Sequence, residues 1–248
     1  MFTNSKKVNM TDKINTTLQE LGADFINFVN IKGLTTKANK NCSVAILFGL
    51  TLSRGYLQEV MDTPDYVQTM VRRNSDFSDD ELYHTQLIAD KMSDMMATLL
   101  KFSGYEAYSH SENNQIETGY FDRTALKTPL PHKTIARLAS IGWIGKNNLI
   151  VSPYYGSAIC FGMVSTNAPV HIVSDHPKKT ECMNCNICVE MCKPKALKGH
   201  LWDLKTKRED MIDAHKCTAC MNCLVFCPYT QNYINRNNNS YGKYKSVP

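Results

Sequence analysis

Two short cysteine-rich motifs constrain this chain more than any other feature. Eight of its ten cysteines lie between Cys182 and Cys227, and each group of four has the spacing C-x-x-C-x-x-C-x-x-x-C. The chain has no apparent export signal, so we interpret this as ligand spacing rather than as a disulfide framework. The spacing is typical of bacterial ferredoxins that hold two 4Fe–4S clusters.

The geometry of such a motif predicts that the two sets of ligands cross. Three cysteines on a tight loop reach one cluster, whereas the fourth lies beyond a short helical turn and ligates the other cluster. The first cluster is predicted to be held by Cys182, Cys185, Cys188 and Cys227. The second is predicted to be held by Cys192, Cys217, Cys220 and Cys223. Zinc is the alternative, but it needs only four thiolates and prefers paired C-x-x-C units.

The two remaining cysteines, Cys42 and Cys160, stand in apolar surroundings and are predicted to be buried structural thiols. No apolar run reaches the roughly 18 residues that a membrane span needs, and the N-terminus is polar. We therefore expect a cytoplasmic protein without a membrane partner. The formal charge is +5. Two oxidised clusters at about −2 each would bring it to about +1, which argues against a nucleic-acid partner.

Helices and strands alternate before the cysteines, which predicts an α/β or α+β fold with a layered sheet. The predicted strands cover 24–31, 43–50, 105–109, 149–151 and 158–166. The predicted helices cover 11–22, 79–103 and 132–141.

Capping residues and apolar spacing define two of these helices. Thr11 is the expected cap of the first helix. Ser78 and Glu81 form a capping box at 79–103. The apolar face of that helix is predicted to contain Ile88, Met92, Met95 and Leu99.

A proline-rich and polar stretch at 167–181 marks a domain boundary. We expect one domain at 1–173, a double 4Fe–4S module at 174–234 and a polar tail at 235–248. A two-cluster module alone accounts for about 60–70 residues, so the preceding domain is expected to hold a further cofactor, a substrate or a partner.

The segment GWIGKNN at 142–148 places two glycines and a lysine after a predicted helix. Glycine permits close backbone approach or positive φ, and lysine suits an anionic group. The spacing is not that of a phosphate-binding P-loop. Taken alone, the segment is equally typical of a turn that terminates a helix.

In its wider context the segment carries a resemblance. GWIGKNNLIVSPYYGSAICFGMVSTN followed by the double cysteine motif resembles the epoxyqueuosine reductase family, and the similarity extends over most of residues 75–230. It implies an α+β chain with a nitroreductase-like, corrinoid-binding α/β domain before a bacterial two-cluster ferredoxin-like module. It also implies a cobalamin beside one 4Fe–4S cluster, a plan that reductive dehalogenases share. The implied corrin contacts are Gly142, Trp143, Ile144, Gly145, Lys146, Asn147, Ser152, Gly156 and Ser157.

The chain also departs from that family. The acidic residue expected before the proline that leads into this region is missing, since 124–129 contains no carboxylate. The second cysteine motif is compact rather than split, and we expect no C-terminal extension for tRNA. His132 and Tyr155 are the candidate proton donors. An exposed helix-start histidine is an equally simple interpretation of His132, and a packing or rim role is the simpler interpretation of Tyr155.

Three functions remain open at this point. The first is a reductase that passes electrons from a low-potential donor of the ferredoxin or flavodoxin type to a corrinoid and a small-molecule or unknown substrate. The second is a ferredoxin-like electron-transfer or corrinoid-reactivating protein without a substrate of its own. The third is a tRNA epoxyqueuosine reductase.

Overall fold

A computed structural model describes residues 9–34, 37, 41–73, 77–172, 177 and 179–236. Within these ranges the strands are β1 Phe25–Asn30, β2 Val44–Thr51, β3 Ala107–Ser109, β4 Trp143–Ile144, β5 Ile150–Val151 and β6 Ile159–Thr166. The helices are α1 Met10–Glu20, α2 Arg54–Asp62, α3 Tyr66–Arg73, α4 Glu81–Phe102, α5 Glu112–Glu117, α6 His132–Leu138, α7 Ile187–Glu190, α8 Arg208–Met211, α9 Asn222–Val225 and α10 Pro228–Ile234.

An antiparallel sheet in the order β1-β2-β6-β3 forms the centre of the fold. The strands β2 and β6 pair over their full length, from Val44 opposite Thr166 to Thr51 opposite Ile159. The apolar run at 43–50 predicts a strand buried on both faces, and β2 is buried at every position except its last. The expected mixed α/β fold is confirmed.

Helices cover both faces of this sheet. On one face, Ile14 of α1 and Met96 of α4 pack in a cluster with Ile46 of β2. On the other face, Ile135 of α6 and the hairpin β4–β5 pack with Leu47. Because successive strand residues point to opposite faces, β2 contributes to both cores.

Two glycines of the sheet lie under aromatic rings of the neighbouring strand. Gly49 is paired with Phe25, and Gly162 is paired with Phe48. A Cβ atom at either glycine would overlap the ring opposite it. The rings fill the space that a glycine leaves empty in a strand, so packing requires these two glycines.

The start of α4 differs from the predicted capping box. Asp80, not Ser78, caps the helix, because its carboxylate accepts the backbone N–H of Tyr83 at 2.9 Å. Glu81 reaches back instead to Ser53, the N-cap of α2, and accepts its hydroxyl at 2.6 Å. The glutamate therefore joins two helices rather than closing one.

The buried face of α4 is rotated from the predicted one. Met92 is buried as expected, but Ile88 and Met95 are 46% and 55% exposed, and Met96 is buried in their place. Ser93 lies on the same buried face, and its hydroxyl oxygen accepts a backbone N–H of β6 at 3.1 Å. The side of the helix that faces the sheet therefore includes a polar residue, which a count of apolar positions leaves out.

The predicted cap of α1 was also wrong. Asn9 caps this helix by accepting the N–H of Asp12, whereas Thr11 lies inside it. No capping or apolar pattern described above predicts α2 or α3. The helix α2 packs against α9 and α10 in a cluster that contains Tyr56 and Val225. In the described part of the chain, no helix is long and apolar enough to cross a membrane.

Candidate iron–sulfur centre and its surroundings

The two cysteine motifs form tight loops, each followed by one short helical turn. Non-glycine residues with positive φ bend these loops, namely Met183 in the first and both Ala219 and Met221 in the second. Such residues are uncommon outside glycine and mark a constrained backbone. The helical turns α7 and α9 start at or just before the third cysteine of each motif.

The first set of thiols brings together both motifs. The pKa of Cys188 is raised to about 12, first by burial and then by the charges of Cys227, Cys182 and Cys185. Burial also raises the pKa of Cys227, and the charges of Cys182 and Cys185 add to this effect. The last cysteine of the second motif therefore lies beside the first three of the first motif.

The second set is arranged in the same way. The pKa of Cys223 is raised to about 12, again first by burial, and then by Cys220, Cys188, Cys217 and Cys192. Cys192 of the first motif thus lies among the thiols of the second. Cys188 and Cys223 also sense each other's charge, so the two sets adjoin.

This donor chemistry fits metal clusters. Burial is the main cause of the raised pKa values of Cys188 and Cys223, and repulsion among the crowded thiols adds to it. A bound metal centre removes this penalty, because it supplies the positive charge that deprotonated thiolates need. Across the described ranges, no group of three or more His, Cys, Asp or Glu residues is arranged to hold a single metal ion.

Two N–H groups point at the sulfur atoms. The indole Nε1 of Trp143 donates to Sγ of Cys182 at 3.4 Å, and the backbone N of Ala196 donates to Sγ of Cys192 at 3.3 Å. Hydrogen bonds to ligand sulfurs tune the potential of an iron–sulfur centre. The sequence predicted Trp143 as a corrin contact and gave no indication of its bond to Cys182.

The predicted corrin-contact residues lie at the junction with the cysteine segment. Trp143 is 1% exposed, and Lys146 and Asn147 are also buried. Nζ of Lys146 donates to Oδ1 of Asn186 in the first motif at 2.8 Å. Nδ2 of Asn147 donates to the carbonyl oxygen of Cys223 at 3.2 Å. These two hydrogen bonds connect the sheet domain to both cysteine loops.

The glycines of this segment are explained by close packing. A Cβ at Gly142 would overlap the carbonyl of Val151, and one at Gly145 would press on the Val151 side chain. The pairing of Ile144 with Ile150 completes the hairpin. Gly142 and Gly145 thus allow β4 and β5 to approach, which is a structural reason for the GWIGKN pattern.

The YGS element meets the helix that follows the last cysteine. Gly156 has φ of +56° and forms a bridge with Ser152, which is also buried. The backbone N of Ser157 donates to Oγ1 of Thr230 at 3.0 Å. A Cβ at Gly156 would overlap the backbone of Thr230. This second contact holds α10, and with it Cys227, against the sheet domain.

His132 is not an exposed helix-start residue. Its Nε2 atom is enclosed and is the buried polar side-chain atom that lacks a hydrogen-bond partner among the described residues. Burial lowers its pKa to about 4. His110, which the sequence analysis did not single out, lies beside it and has its pKa lowered to about 3 by burial and by His132. Both imidazoles are therefore neutral at pH 7, so His132 could donate a proton only from a neutral ring.

Tyr155, the other candidate donor, and Lys133, the residue after His132, have different surroundings. Tyr155 stacks on Phe25 at 6.1 Å and meets Tyr233 edge-on at 5.7 Å, between ring centroids. Burial lowers the pKa of Lys133 to about 8, and its Nζ donates to Oδ1 of Asn148 at 2.5 Å. Tyr155 lies in an aromatic cluster, and its catalytic role stays a prediction.

Cys42 and Cys160 are buried as predicted. Burial is the main cause that raises the pKa of Cys42 to about 11 and that of Cys160 to about 12. Both are therefore protonated, unreactive thiols at neutral pH.

Two clefts lie on the surface of the described residues. One, of about 360 Å³, is formed mainly by α2, α3 and the start of α4. The other, of about 350 Å³, lies beside β4. Both are at the lower end of the range of about 300–1,000 Å³ for drug-sized ligands. A corrinoid is larger than such ligands, and the residues predicted to contact it are packed against the protein, so the described clefts do not fit a corrinoid.

No protein-family model matches the chain. In sequence it is similar to the epoxyqueuosine reductase of Listeria monocytogenes, with 32% identity over 113 residues, which covers 40% of this chain and 29% of that protein. The enzyme of Synechocystis is 31% identical over 91 residues, or 37% of this chain and 28% of that protein. The matches thus span less than a third of these curated relatives.

The fold is similar to that of solved structures. The epoxyqueuosine reductase of Streptococcus thermophilus has a TM-score of 0.55 at 16% identity, over 90% of this chain and 66% of that one. A catabolic reductive dehalogenase has a TM-score of 0.61 at 17% identity, over 88% of this chain and 31% of that one. The predicted resemblance to the epoxyqueuosine reductases is confirmed.

One neighbour bears on the nucleic-acid prediction. An epoxyqueuosine reductase solved with a modified tRNA stem loop has a TM-score of 0.55 at 14% identity, over 90% of this chain and 65% of that one. The charge-based argument against a nucleic-acid partner conflicts with this likeness. Net charge is a poor guide here because it ignores how charges are distributed over the surface.

Proposed function

We propose that this chain is an iron–sulfur oxidoreductase that resembles the epoxyqueuosine reductases and acts on an unidentified substrate. The observation that carries the proposal is the interlocking of two sets of four thiols, each completed by a cysteine from the other motif. Bound 4Fe–4S clusters would supply one-electron chemistry at low potential.

The residues that would hold the clusters follow from the two thiol sets. Cys182, Cys185, Cys188 and Cys227 would hold the first cluster. Cys192, Cys217, Cys220 and Cys223 would hold the second. Cys188 and Cys227 are buried, whereas Cys185 is exposed, so the first site would be shielded from water on one side. Trp143 donates an N–H group to a sulfur of the first set, and Ala196 donates one to a sulfur of the second.

We further propose that the domain at 1–173 and the module at 174–234 act as one functional unit. The contacts of Lys146, Asn147 and Ser157 with the cysteine segment support this. From residue 237 onward, the tail predicted at 235–248 lies outside the described residues. A donor of the ferredoxin or flavodoxin type would supply the electrons. The substrate would be a small molecule or another group that reaches the sheet domain.

Cobalamin is a separate part of the proposal. Support comes from a reductive dehalogenase of similar fold, with a TM-score of 0.54, whose structure suggests a mechanism for B12-dependent dehalogenation. Against it stand the sizes of the two clefts and the burial of Trp143, Asn147 and Ser152. Measurement of cobalt after reconstitution with cobalamin decides this point independently of the iron.

Metal analysis of the protein purified without oxygen tests the main proposal. We expect about eight irons and eight sulfides per chain, together with the paramagnetic resonance signals of two reduced 4Fe–4S clusters. A chain that carries only zinc would refute it. Cys42→Ser is the matched control, because this buried thiol lies outside both sets and should leave the iron content unchanged.

Paired substitutions test the crossing. If Cys192 and Cys217 serve the same cluster, then the double variant Cys192→Ser/Cys217→Ser loses one cluster and keeps about four irons. The double variant Cys188→Ser/Cys217→Ser should lose both clusters. Equal iron content in the two double variants would contradict the crossed assignment.

A second candidate function is reduction of epoxyqueuosine in tRNA. It is favoured by the 32% identity with the Listeria epoxyqueuosine reductase, although the match covers 29% of that protein. The test is conversion of epoxyqueuosine to queuosine in tRNA by the reconstituted chain with a chemical reductant. A chain that instead reduces a partner protein and shows no substrate turnover would support the electron-transfer alternative.

A further inference from the structure

The cleft beside β4 has an unusual lining. It has a volume of about 350 Å³. It is lined by Arg137, Trp143, Ile144, Lys179, Thr180, Trp202, Asp203 and Leu204. The chain has only two tryptophans, and both lie here. We call this site the indole cleft.

The lining of the indole cleft carries two positive charges, on Arg137 and Lys179, and one negative charge, on Asp203. The guanidinium of Arg137 lies 4.6 Å from the ring centroid of Trp202. Among the described residues, neither Arg137 nor Lys179 forms an ion pair with a carboxylate. The one acidic residue in the lining, Asp203, already accepts hydrogen bonds from the backbone of Lys205 and from Thr206, each at 2.8 Å.

We propose that the indole cleft binds a small planar aromatic anion, either an aromatic carboxylate or a phosphorylated aromatic such as a flavin nucleotide. The half-buried ring of Trp202 offers an aromatic surface on which a flat ring can stack, whereas Trp143 is 1% exposed and offers almost none. A guanidinium and an ammonium together recognise a carboxylate or phosphate. The volume suits one ligand of this kind and excludes a much larger one.

The cleft shares a wall with the first thiol set. Trp143 forms part of the cleft and donates its indole N–H to Sγ of Cys182 at 3.4 Å. Thr180 is also in the lining, and its Oγ1 accepts the backbone N–H of Cys182 at 3.4 Å. A ligand in the cleft is therefore separated from Cys182 by one side chain. A role for this ligand as an electron donor or acceptor rests on the proposed function, whereas binding of the ligand to the cleft does not.

Calorimetric titration of the full, iron-loaded chain without oxygen tests the site. The probes are 2-naphthoate with its uncharged isostere 2-naphthamide, and flavin mononucleotide with riboflavin. Saturable binding of one anion, at least tenfold tighter than its uncharged partner, is the expected result. Which anion binds identifies the carboxylate or the phosphate as the source. Equal binding of charged and uncharged probes, or no binding of any probe, would overturn the proposal.

Variants locate the binding. Arg137→Gln and Lys179→Gln should each weaken binding of the anion by about tenfold or more, as expected for loss of a charged hydrogen-bond donor. Lys179 is exposed, so its substitution should leave the fold intact even if Arg137→Gln does not fold. The matched control is Lys205→Gln, an exposed lysine in the loop of Trp202 and Asp203 but outside the lining, which should bind within twofold of the parent. Equal effects of Lys179→Gln and Lys205→Gln would refute the site.

Iron content separates the two proposals. A chain with eight irons that fails to bind refutes the indole cleft and leaves the proposed function standing. A chain without iron refutes the proposed function. Where the anion binds, a change in the resonance signal of the reduced first cluster is the expected sign that the ligand lies next to Cys182.

Discussion

Substitution of Gly156 by alanine tests whether the sheet domain holds the cysteine segment in place. Gly156 has φ of +56°, and its α-carbon faces the backbone of Thr230 in α10. Thr230 lies three positions after Cys227 and is fully buried. Any side chain at Gly156 must therefore push α10, and Cys227 with it, away from the sheet domain.

Two costs add at this position. A non-glycine residue in the left-handed region costs roughly 1–2 kcal/mol. The added Cβ would also lie well inside the 3.0 Å limit that real Cβ atoms keep from backbone atoms. Overpacking of this kind costs about 1–3 kcal/mol. We expect Gly156→Ala to destabilise the protein by about 2–5 kcal/mol in total.

Gly119→Ala is the matched control. Gly119 also has a positive φ, of +71°, but nothing lies within 4 Å of an added Cβ. Gly156→Ala should lose more free energy of unfolding than Gly119→Ala, and this difference of about 1–3 kcal/mol measures the clash with Thr230. At a slope of about 2 kcal/mol/M, it corresponds to roughly 0.5–1.5 M in the midpoint of urea unfolding. Gly156→Ala should also release iron faster in the presence of a chelator. Equal urea midpoints and equal rates of iron release would show that this contact does not support the cysteine segment.

Three further predictions follow from the buried groups. Asp80→Asn loses the negative charge that accepts a buried tyrosine hydroxyl at 2.7 Å, but it keeps the cap of α4. Because the cap is kept, this variant should lose about 1 kcal/mol less stability than Asp80→Ala in thermal or urea unfolding. Equal losses would contradict this. The pKa values of His110 and His132 are lowered in the fold to about 3 and about 4, so the unfolded chain binds more protons below about pH 6.5. The free energy of unfolding should therefore fall as the pH drops from about 6.5 towards 4, by up to roughly 1.4 kcal/mol per pH unit for each histidine. In His132→Asn the urea midpoint should depend less on pH between about pH 7 and 5.5. An unchanged pH dependence would show that the buried His132 is not one of its causes. Trp143→Phe removes an N–H donor to Cys182 and should lower the reduction potential of the first cluster in a redox titration, whereas an unchanged potential would show that this bond does not tune it.

Local patterns predicted the sheet well. The apolar runs at 43–50 and 158–166 correspond to the two central strands, because a strand buried on both faces has few polar residues. The cysteine spacing also led to the crossed ligand assignment, which stays a prediction. The proximity of Cys192 to Cys223 and of Cys227 to Cys188 agrees with the crossed assignment.

Long-range contacts could not be predicted in the same way. Asp80 caps α4 and also accepts the hydroxyl of Tyr56, a residue in another helix. Ser93 accepts a hydrogen bond from the backbone of β6, and Trp143 donates one to Cys182 in the cysteine segment. Each depends on a partner distant in sequence, which periodicity does not reveal.

The crossed arrangement of the thiols also bears on how the protein is made. When the first motif has been synthesised, only three cysteines of the first set are present, because the fourth is Cys227. The second set likewise stays incomplete until Cys217, Cys220 and Cys223 emerge to join Cys192. If the two sets hold the proposed clusters, neither site can be completed on a nascent chain that stops between the motifs, so iron delivery would have to wait for nearly the whole described chain. Maturation would therefore be an all-or-none event that follows synthesis.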